Sequence, residues 1–221
     1  MKKLKILVPA DFTCATKLEE LDRFISSLSG CRLSRECVEQ LRLAYRVAKA
    51  GHFGQFRDNG APYFEHVRDT DHILMVELGV TDCSMICAGL LHDTIEDSQI
   101  VTPLLIELLF GRNVLKLVQA VTKPKRADSR FKNDRARHQF YFKQLTEAGD
   151  QVKLLKLCDR LHNLRTLWQC APEKRERKVE ETKTIYLPFL RDICRQYPAE
   201  AKYLRRQFDF YLRGFRLGTV K

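Results

Sequence analysis

The chain has no Cys-x-x-Cys pair among its eight cysteines, at positions 14, 31, 37, 83, 87, 158, 170 and 194. That spacing excludes a zinc ribbon. With 221 residues the chain can bury a core that needs no disulfide staples, so the cysteines are expected to be reduced and mostly buried. No stretch approaches the ~18 apolar residues of a membrane span. The basic start Met1 to Asp11 imitates the front of a signal peptide. Its apolar run, Ile6 to Val8, is broken at Pro9 and Asp11 too soon for export, so the expectation is a cytoplasmic chain. Internal repeats are lacking, and so are alternating β-branched runs. Acidic residues are short: 28 against 39 basic ones, a formal charge of +11 that favours anionic partners.

What is present is helical periodicity. Residues 1–33 read as an N-terminal extension with one helix, Lys17 to Leu28, whose apolar positions are Leu18, Leu21, Ile25 and Leu28. A second helix starts after Ser34, carries Leu41, Ala44, Tyr45 and Ala48 on one face, and stops near Gly51. Residues 51–62 form a loop rich in turn residues. Further helices are expected over Tyr63–Leu78, Asp82–Glu96, Leu104–Phe110 (closed by Gly111), Asn113–Val121, Gln151–Trp168, Arg175–Arg195 and Ala199–Arg213. Residues 122–137 are polar and basic: a phosphate-holding segment or a solvated loop, with composition unable to choose. The fold class is all-α, a helical bundle. Residues 34–196 are its main domain, and 197–221 a basic C-terminal helix packed on it.

Three acidic-histidine segments stand out in apolar helical surroundings: Tyr63-Phe64-Glu65-His66, Leu91-His92-Asp93-Thr94-Ile95-Glu96-Asp97, and Leu157-Cys158-Asp159-Arg160-Leu161-His162-Asn163. On one helix, His92 and Glu96, and Asp93 and Asp97, are i,i+4 neighbours. A lone histidine such as His66 is more often a satisfied core residue. Asp159, in an apolar helix, must be paired or coordinated, and Arg160 is the plain candidate partner. The sharper reading joins His66, His92, Asp93 and Asp159 around one metal, a mixed nitrogen and oxygen set suited to Mn²⁺, Fe²⁺ or Zn²⁺. Glu96 and Asp97 then stand one turn away, able to orient or deprotonate a water. Such a site is that of a metal-dependent phosphohydrolase. Lys174 to Lys178 and Arg205-Arg206 read as exposed helix faces, and Trp168 as a packing residue. Nucleic acid is not expected as a partner, because no aromatic stacking platform accompanies the charge.

The order His66, His92-Asp93, Asp159 resembles the HD phosphohydrolase signature. The flanks Gly54-Gln55-Phe56-Arg57, Pro62-Tyr63, Leu91 to Asp97 and Lys156 to Thr166 resemble the hydrolase domain of the Rel/Spo stringent-response enzymes, closest to the small alarmone hydrolases, over about residues 38–195. The resemblance implies an HD-domain bundle and removal of the 3′-pyrophosphate from ppGpp and pppGpp, with Mn²⁺ as cofactor. It implies metal ligands at His66, His92, Asp93 and Asp159, and water activation by Glu96 and Asp97. Arg57 would stack on the base, with Tyr63, Asn163 and Thr166 near the nucleotide. No segment resembles the family's synthetase domain, so a hydrolase-only enzyme is implied. The chain departs from the pattern at Asp58, where a lysine commonly follows the loop arginine, at Val67 for proline, and at Cys158 for alanine. An acid at 58 should repel a polyphosphate. This leaves ppApp or another nucleotide open as substrate, and a non-catalytic alarmone sensor as the reading of another class. A homo-oligomer is also left open.

Overall fold

The computed structural model describes residues 18–28 and 30–219. The run Ile6 to Val8, Lys17, Ser29 and Cys14 lie outside the described residues. Among the described residues there is no strand, only the isolated bridge Phe56–Pro62. The helices are α1 (Leu18–Ser27), α2 (Arg35–Gly51), α3 (Tyr63–His72), α4 (Cys83–Leu91), α5 (Thr94–Asp97), α6 (Pro103–Val121), α7 (Asp134–Glu147), α8 (Asp150–Thr166), α9 (Pro172–Glu181), α10 (Leu187–Ile193) and α11 (Pro198–Leu217). No helix among the described residues is long and apolar enough to cross a membrane.

Local chemistry sets many of these starts. The side chains of Ser34, Asp82, Thr102 and Asn133 each accept a hydrogen bond from the backbone N–H three residues on, satisfying a donor the first turn leaves open. Pro103 follows its cap at the first helical position, where a missing N–H costs nothing. At Gly111 (φ 84°, ψ 172°) the backbone leaves the helical region, so α6 is two helical stretches meeting at a break, where the sequence places the end of one helix and the start of the next. Gly218 closes α11 in the left-handed region.

Helix α8 is the axis of the bundle. From Val152 to His162 every residue is buried, the pattern of a helix enclosed by others. Helices α3, α4, α6, α7, α10 and α11 pack against it. Its charged residues are therefore paired: Lys153 to Asp192 at 2.8 Å, Lys156 to Asp159 at 2.7 Å, and Arg160 to Glu181 at 3.1 Å. The partner of Asp159 is thus Lys156, one turn earlier, and not Arg160, whose guanidinium turns to the Tyr186 ring, 4.0 Å from its centroid. Helix α1 buries Leu21 and Phe24, the turn after it buries Leu28, and Asp22 reaches Arg42 of α2 at 2.8 Å. Helix α11 buries Ala201, Leu204 and Phe208.

The chain departs from several sequence expectations. Asp82–Glu96 is not one helix: the chain turns at His92-Asp93, between α4 and α5, so His92 and Glu96 do not share a continuous helix, while Asp93 and Asp97 stay one turn apart, with the Asp97 N–H donating to Asp93 O at 3.0 Å. Tyr63–Leu78 and Arg175–Arg195 each contain a π-helical turn, Ile73–Glu77 and Thr182–Tyr186. Trp168 is 40% exposed, because it sits on the short 3₁₀ turn Leu167–Gln169 that carries it off the core face of α8. Of the described cysteines none is in a disulfide. Cys37, Cys87 and Cys158 are buried, Cys31, Cys83 and Cys170 are part-buried, and Cys194 is exposed.

Helices α3 and α4 approach most closely at Gly89. A Cβ there would collide with the carboxylate of Asp71, which is fully buried with both oxygens unpartnered. Burial alone pushes that carboxyl well above its ordinary value. Gly89→Ala would gain about 1 kcal/mol of helix propensity. It should nonetheless lose ~1–3 kcal/mol net through overpacking. The urea midpoint is expected to fall; an unchanged midpoint would show that Asp71 can swing clear.

Candidate active site

The close approach of α3 and α4, both against α8, brings the three segments to one point. His66 Nε2 lies 3.0 Å from Asp159 Oδ1 and 3.7 Å from Asp93 Oδ2. His92 Nε2 lies 3.2 Å from Asp93 Oδ2 and 3.9 Å from Asp159 Oδ1. One donor atom from each of His66, His92 and Asp159 falls within 4.8 Å of the others, close enough to hold a single metal ion. The turn at His92-Asp93 is what lets two successive residues aim at the same point. All four side chains are buried.

The donor set fits a divalent cation on a specific ground. His92 Nε2 is buried and makes no hydrogen bond, while its Nδ1 is 2.7 Å from Gly89 O. The carbonyl can only accept, so the proton sits on Nδ1 and Nε2 offers a lone pair to the cluster. Burial pushes His66 down to about 4 against the pull of Asp159, which keeps that ring neutral, the form that ligates. Burial opposes ionisation of Asp93 and Asp159, but the His92 ring beside Asp93 and the Lys156 ammonium beside Asp159 outweigh it, and both carboxyls are held below their ordinary value.

The two further acids stand at the edge of the cluster. Burial first, then the Asp93 charge, pushes Glu96 up to about 7. Its Oε2 accepts a hydrogen bond from the Lys123 backbone N–H at 3.1 Å. Asp97 opens to solvent at the rim, yet crowding in the concave site and the Asp93 charge push it up to about 6. Tyr63 donates to Asp93 Oδ2 at 2.7 Å and stacks on His52, 4.9 Å between centroids.

The loop before α3 delivers Arg57. It donates to Asn163 Oδ1 at 2.9 Å and Thr166 Oγ1 at 3.4 Å. Asn163 in turn donates to Asp159 Oδ1 at 2.6 Å, so one amide links the loop arginine to the cluster. Gln55 fixes the loop from the other side, donating to Asp97 O at 2.8 Å and meeting His52 Nδ1 at 2.8 Å.

These residues line one cavity of about 300 Å³. Arg57, Tyr63, His66, Asp93, Glu96, Asp97, Asp159, Asn163 and Thr166 reach its surface, and His92 lies behind it. Sequence reasoning offered the segment 122–137, which holds Lys123, as a phosphate-holding one, and missed the other basic residues of the cavity. Lys123, Lys156, Arg160, Lys174 and Lys178 also line the cavity. Lys174 and Lys178 had read as an exposed face; they are part-buried and four residues apart on the side of α9 turned to the cavity. Burial and the nearby Arg160 and Arg177 charges lower Lys178, and burial and Arg137 lower Lys123. Only the i,i+4 spacing of the two lysines hinted at this. Asp58 is paired at the rim with Lys174, and Asn59 with Gln169, so the loop is clasped to the start of α9. The acid at 58 is therefore largely compensated.

Residues 44–192, well over half of the sequence, match the HD-domain family, and the chain belongs to it. Over 165 residues it is 39% identical to the bifunctional (p)ppGpp synthase/hydrolase SpoT of Escherichia coli K12, covering 74% of this chain and 23% of that protein. It is 39% identical over 151 residues to the guanosine-3′,5′-bis(diphosphate) 3′-pyrophosphohydrolase of Aquifex aeolicus, covering 68% of this chain and 21% of that one. The chain thus spans less than a quarter of the length of these curated relatives. A solved structure of a metazoan ortholog of SpoT, described as hydrolysing ppGpp and playing a role in starvation responses, is similar with a TM-score of 0.61 and 26% identity. That likeness covers 81% of this chain and 96% of the other.

Proposed function

We propose that the chain carries a Mn²⁺-dependent hydrolase activity that removes the 3′-pyrophosphate of ppGpp and pppGpp, leaving GDP or GTP and pyrophosphate. The observation that carries this is one cavity lined both by a buried histidine-aspartate cluster with two further acids and by the basic side chains of Lys123, Lys156, Arg160, Lys174 and Lys178. A divalent ion suits the first group; a polyphosphate needs the second. The names of the relatives and of the similar solved structure support the same substrate class.

In this reading His66, His92, Asp93 and Asp159 hold the ion, which when bound lowers the pKa of water and screens phosphate charge. Glu96 and Asp97 orient the attacking water and accept its proton. Tyr63 holds Asp93 in place by its hydroxyl. The guanidinium of Arg57, held by Asn163 and Thr166, offers a flat cationic face to the purine. Lys123, Lys174 and Lys178 neutralise the phosphates remote from the cluster. A soluble nucleotide as substrate fits a cytoplasmic location.

The test is a panel of ppGpp, pppGpp, ppApp and GTP with Mn²⁺ and with a chelator. The reading requires turnover of the guanosine alarmones that the chelator stops. Preference for GTP would replace the substrate class. Asp58 gives a finer check. Asp58→Lys turns a compensated pair into two cations beside Arg57. The KM for ppGpp should fall by about fivefold or less, the ~1 kcal/mol of an exposed charge pair. An unchanged or raised KM would mean that position 58 faces away from the phosphates.

A further inference from the structure

The cluster's two histidines are held differently. His92 Nδ1 meets a backbone carbonyl, which fixes its proton without ambiguity. His66 has no such carbonyl. Its Nδ1 lies 2.7 Å from Nδ1 of His162, and the contact is buried. Two imidazole nitrogens at that distance share one proton, and either ring can supply it.

The other ends of the two rings decide the direction. His66 Nε2 faces Asp159 and Asp93. It can ligate a cation only when unprotonated, so its proton must lie on Nδ1 and be donated to His162. His162 Nδ1 then accepts, and its own proton lies on Nε2. That nitrogen points at Asp69 Oδ2, 3.6 Å away. Asp69 is anchored in turn by Arg68, whose Nε and second guanidinium nitrogen lie 2.9 and 2.8 Å from Oδ1. With the opposite proton order, His66 would hold its proton on the nitrogen facing the cluster, and His162 would present a bare nitrogen to a carboxylate.

We propose that His162, oriented by Asp69, is the positioning residue for His66: it accepts the Nδ1 proton and so presents Nε2 to a divalent cation. The inference rests on the reading of His66 as a metal ligand. Helix α8 would thus supply one ligand, Asp159, and three residues later the group that sets the tautomer of another. Groups that hydrogen-bond the far nitrogen of a metal-binding histidine fix ring orientation and raise its basicity.

The experiment uses the full chain labelled with ¹⁵N-histidine and loaded with Zn²⁺, a diamagnetic ion suited to the same donors. Long-range ¹H–¹⁵N correlation reads which nitrogen of each ring is protonated. The expected result is a Zn²⁺-dependent shift of His66 Nε2, with protons on His66 Nδ1 and His162 Nε2. A responsive His66 beside a His162 protonated on Nδ1 would overturn the positioning role while leaving the ligand reading standing. A His66 indifferent to Zn²⁺ would overturn both. Calorimetry gives a second readout. His162→Leu should weaken Zn²⁺ binding about ten- to a hundredfold. His162→Gln, whose amide oxygen can accept the same proton, should restore most of it. Equal affinity in the two variants would contradict the proposal.

Discussion

Asp93→Asn is expected to abolish measurable turnover and leave the protein folded. One oxygen of Asp93 lies 3.2 Å from His92 Nε2, 3.7 Å from His66 Nε2 and 2.7 Å from the Tyr63 hydroxyl. The amide keeps the shape but removes the charge that offsets a divalent ion. The loss should exceed the roughly 10–100-fold typical of groups outside the ligand shell. The metal-free protein should lose some stability yet stay folded, because the fold holds Asp93 below its ordinary value through His92 and Lys156, and relief of the Asp159 repulsion offsets only part of that loss. The two readouts are kcat with Mn²⁺ and the thermal midpoint of the metal-free protein. A fully active variant would remove Asp93 from the ligand set. An inactive variant with a collapsed midpoint would show a structural part instead.

Glu96→Gln is the second large effect. The carboxylate sits beside the cluster, fixed by the Lys123 backbone N–H, and is pushed up to about 7 by burial and the Asp93 charge. A group that accepts a proton from water works only when ionised, so activity should rise with pH through its pKa. A bound cation draws that pKa down, so the acid limb of the kcat profile should fall below pH 7 and move lower as metal affinity rises. Glutamine cannot accept the proton. Its kcat should drop by about 10²–10⁴, and the acid limb attributable to Glu96 should disappear. A variant with the wild-type limb and rate would pass the role to Asp97 alone.

The sequence made some levels of this molecule easier to read than others. Helical periodicity gave the all-α class, because Leu41, Ala44, Tyr45 and Ala48 recur at the spacing that buries one face, and all four are fully buried. The positions that converge in the cavity were legible because an aspartate inside Leu154–Leu161, or a His-Asp pair after Gly89-Leu90-Leu91, contradicts its apolar surroundings. Places where tertiary packing overrides the local pattern were not legible. Nothing in Ile86 to Asp97 announces a turn at His92-Asp93, since each residue there is compatible with helix. Lys156 rather than Arg160 became the partner of Asp159 because the i,i+3 spacing on α8 brings Lys156 to the carboxylate, while Arg160 is held by Glu181 of α9 and the Tyr186 ring. Lys174 and Lys178 read as solvated because a charge run carries no sign of what lies across from it. His162 was noticed only within a motif; its contact with His66 spans 96 positions of chain, which no local pattern encodes.

The most direct test of the central claim is the phosphorus product of ppGpp incubated with the protein and Mn²⁺. Anion-exchange separation with ³¹P detection distinguishes a cut at the 3′ ester from a cut within a diphosphate. The account predicts GDP and intact pyrophosphate in equal amounts. Release of single phosphates, with a guanosine species that still carries phosphate at the 3′ position, would contradict it.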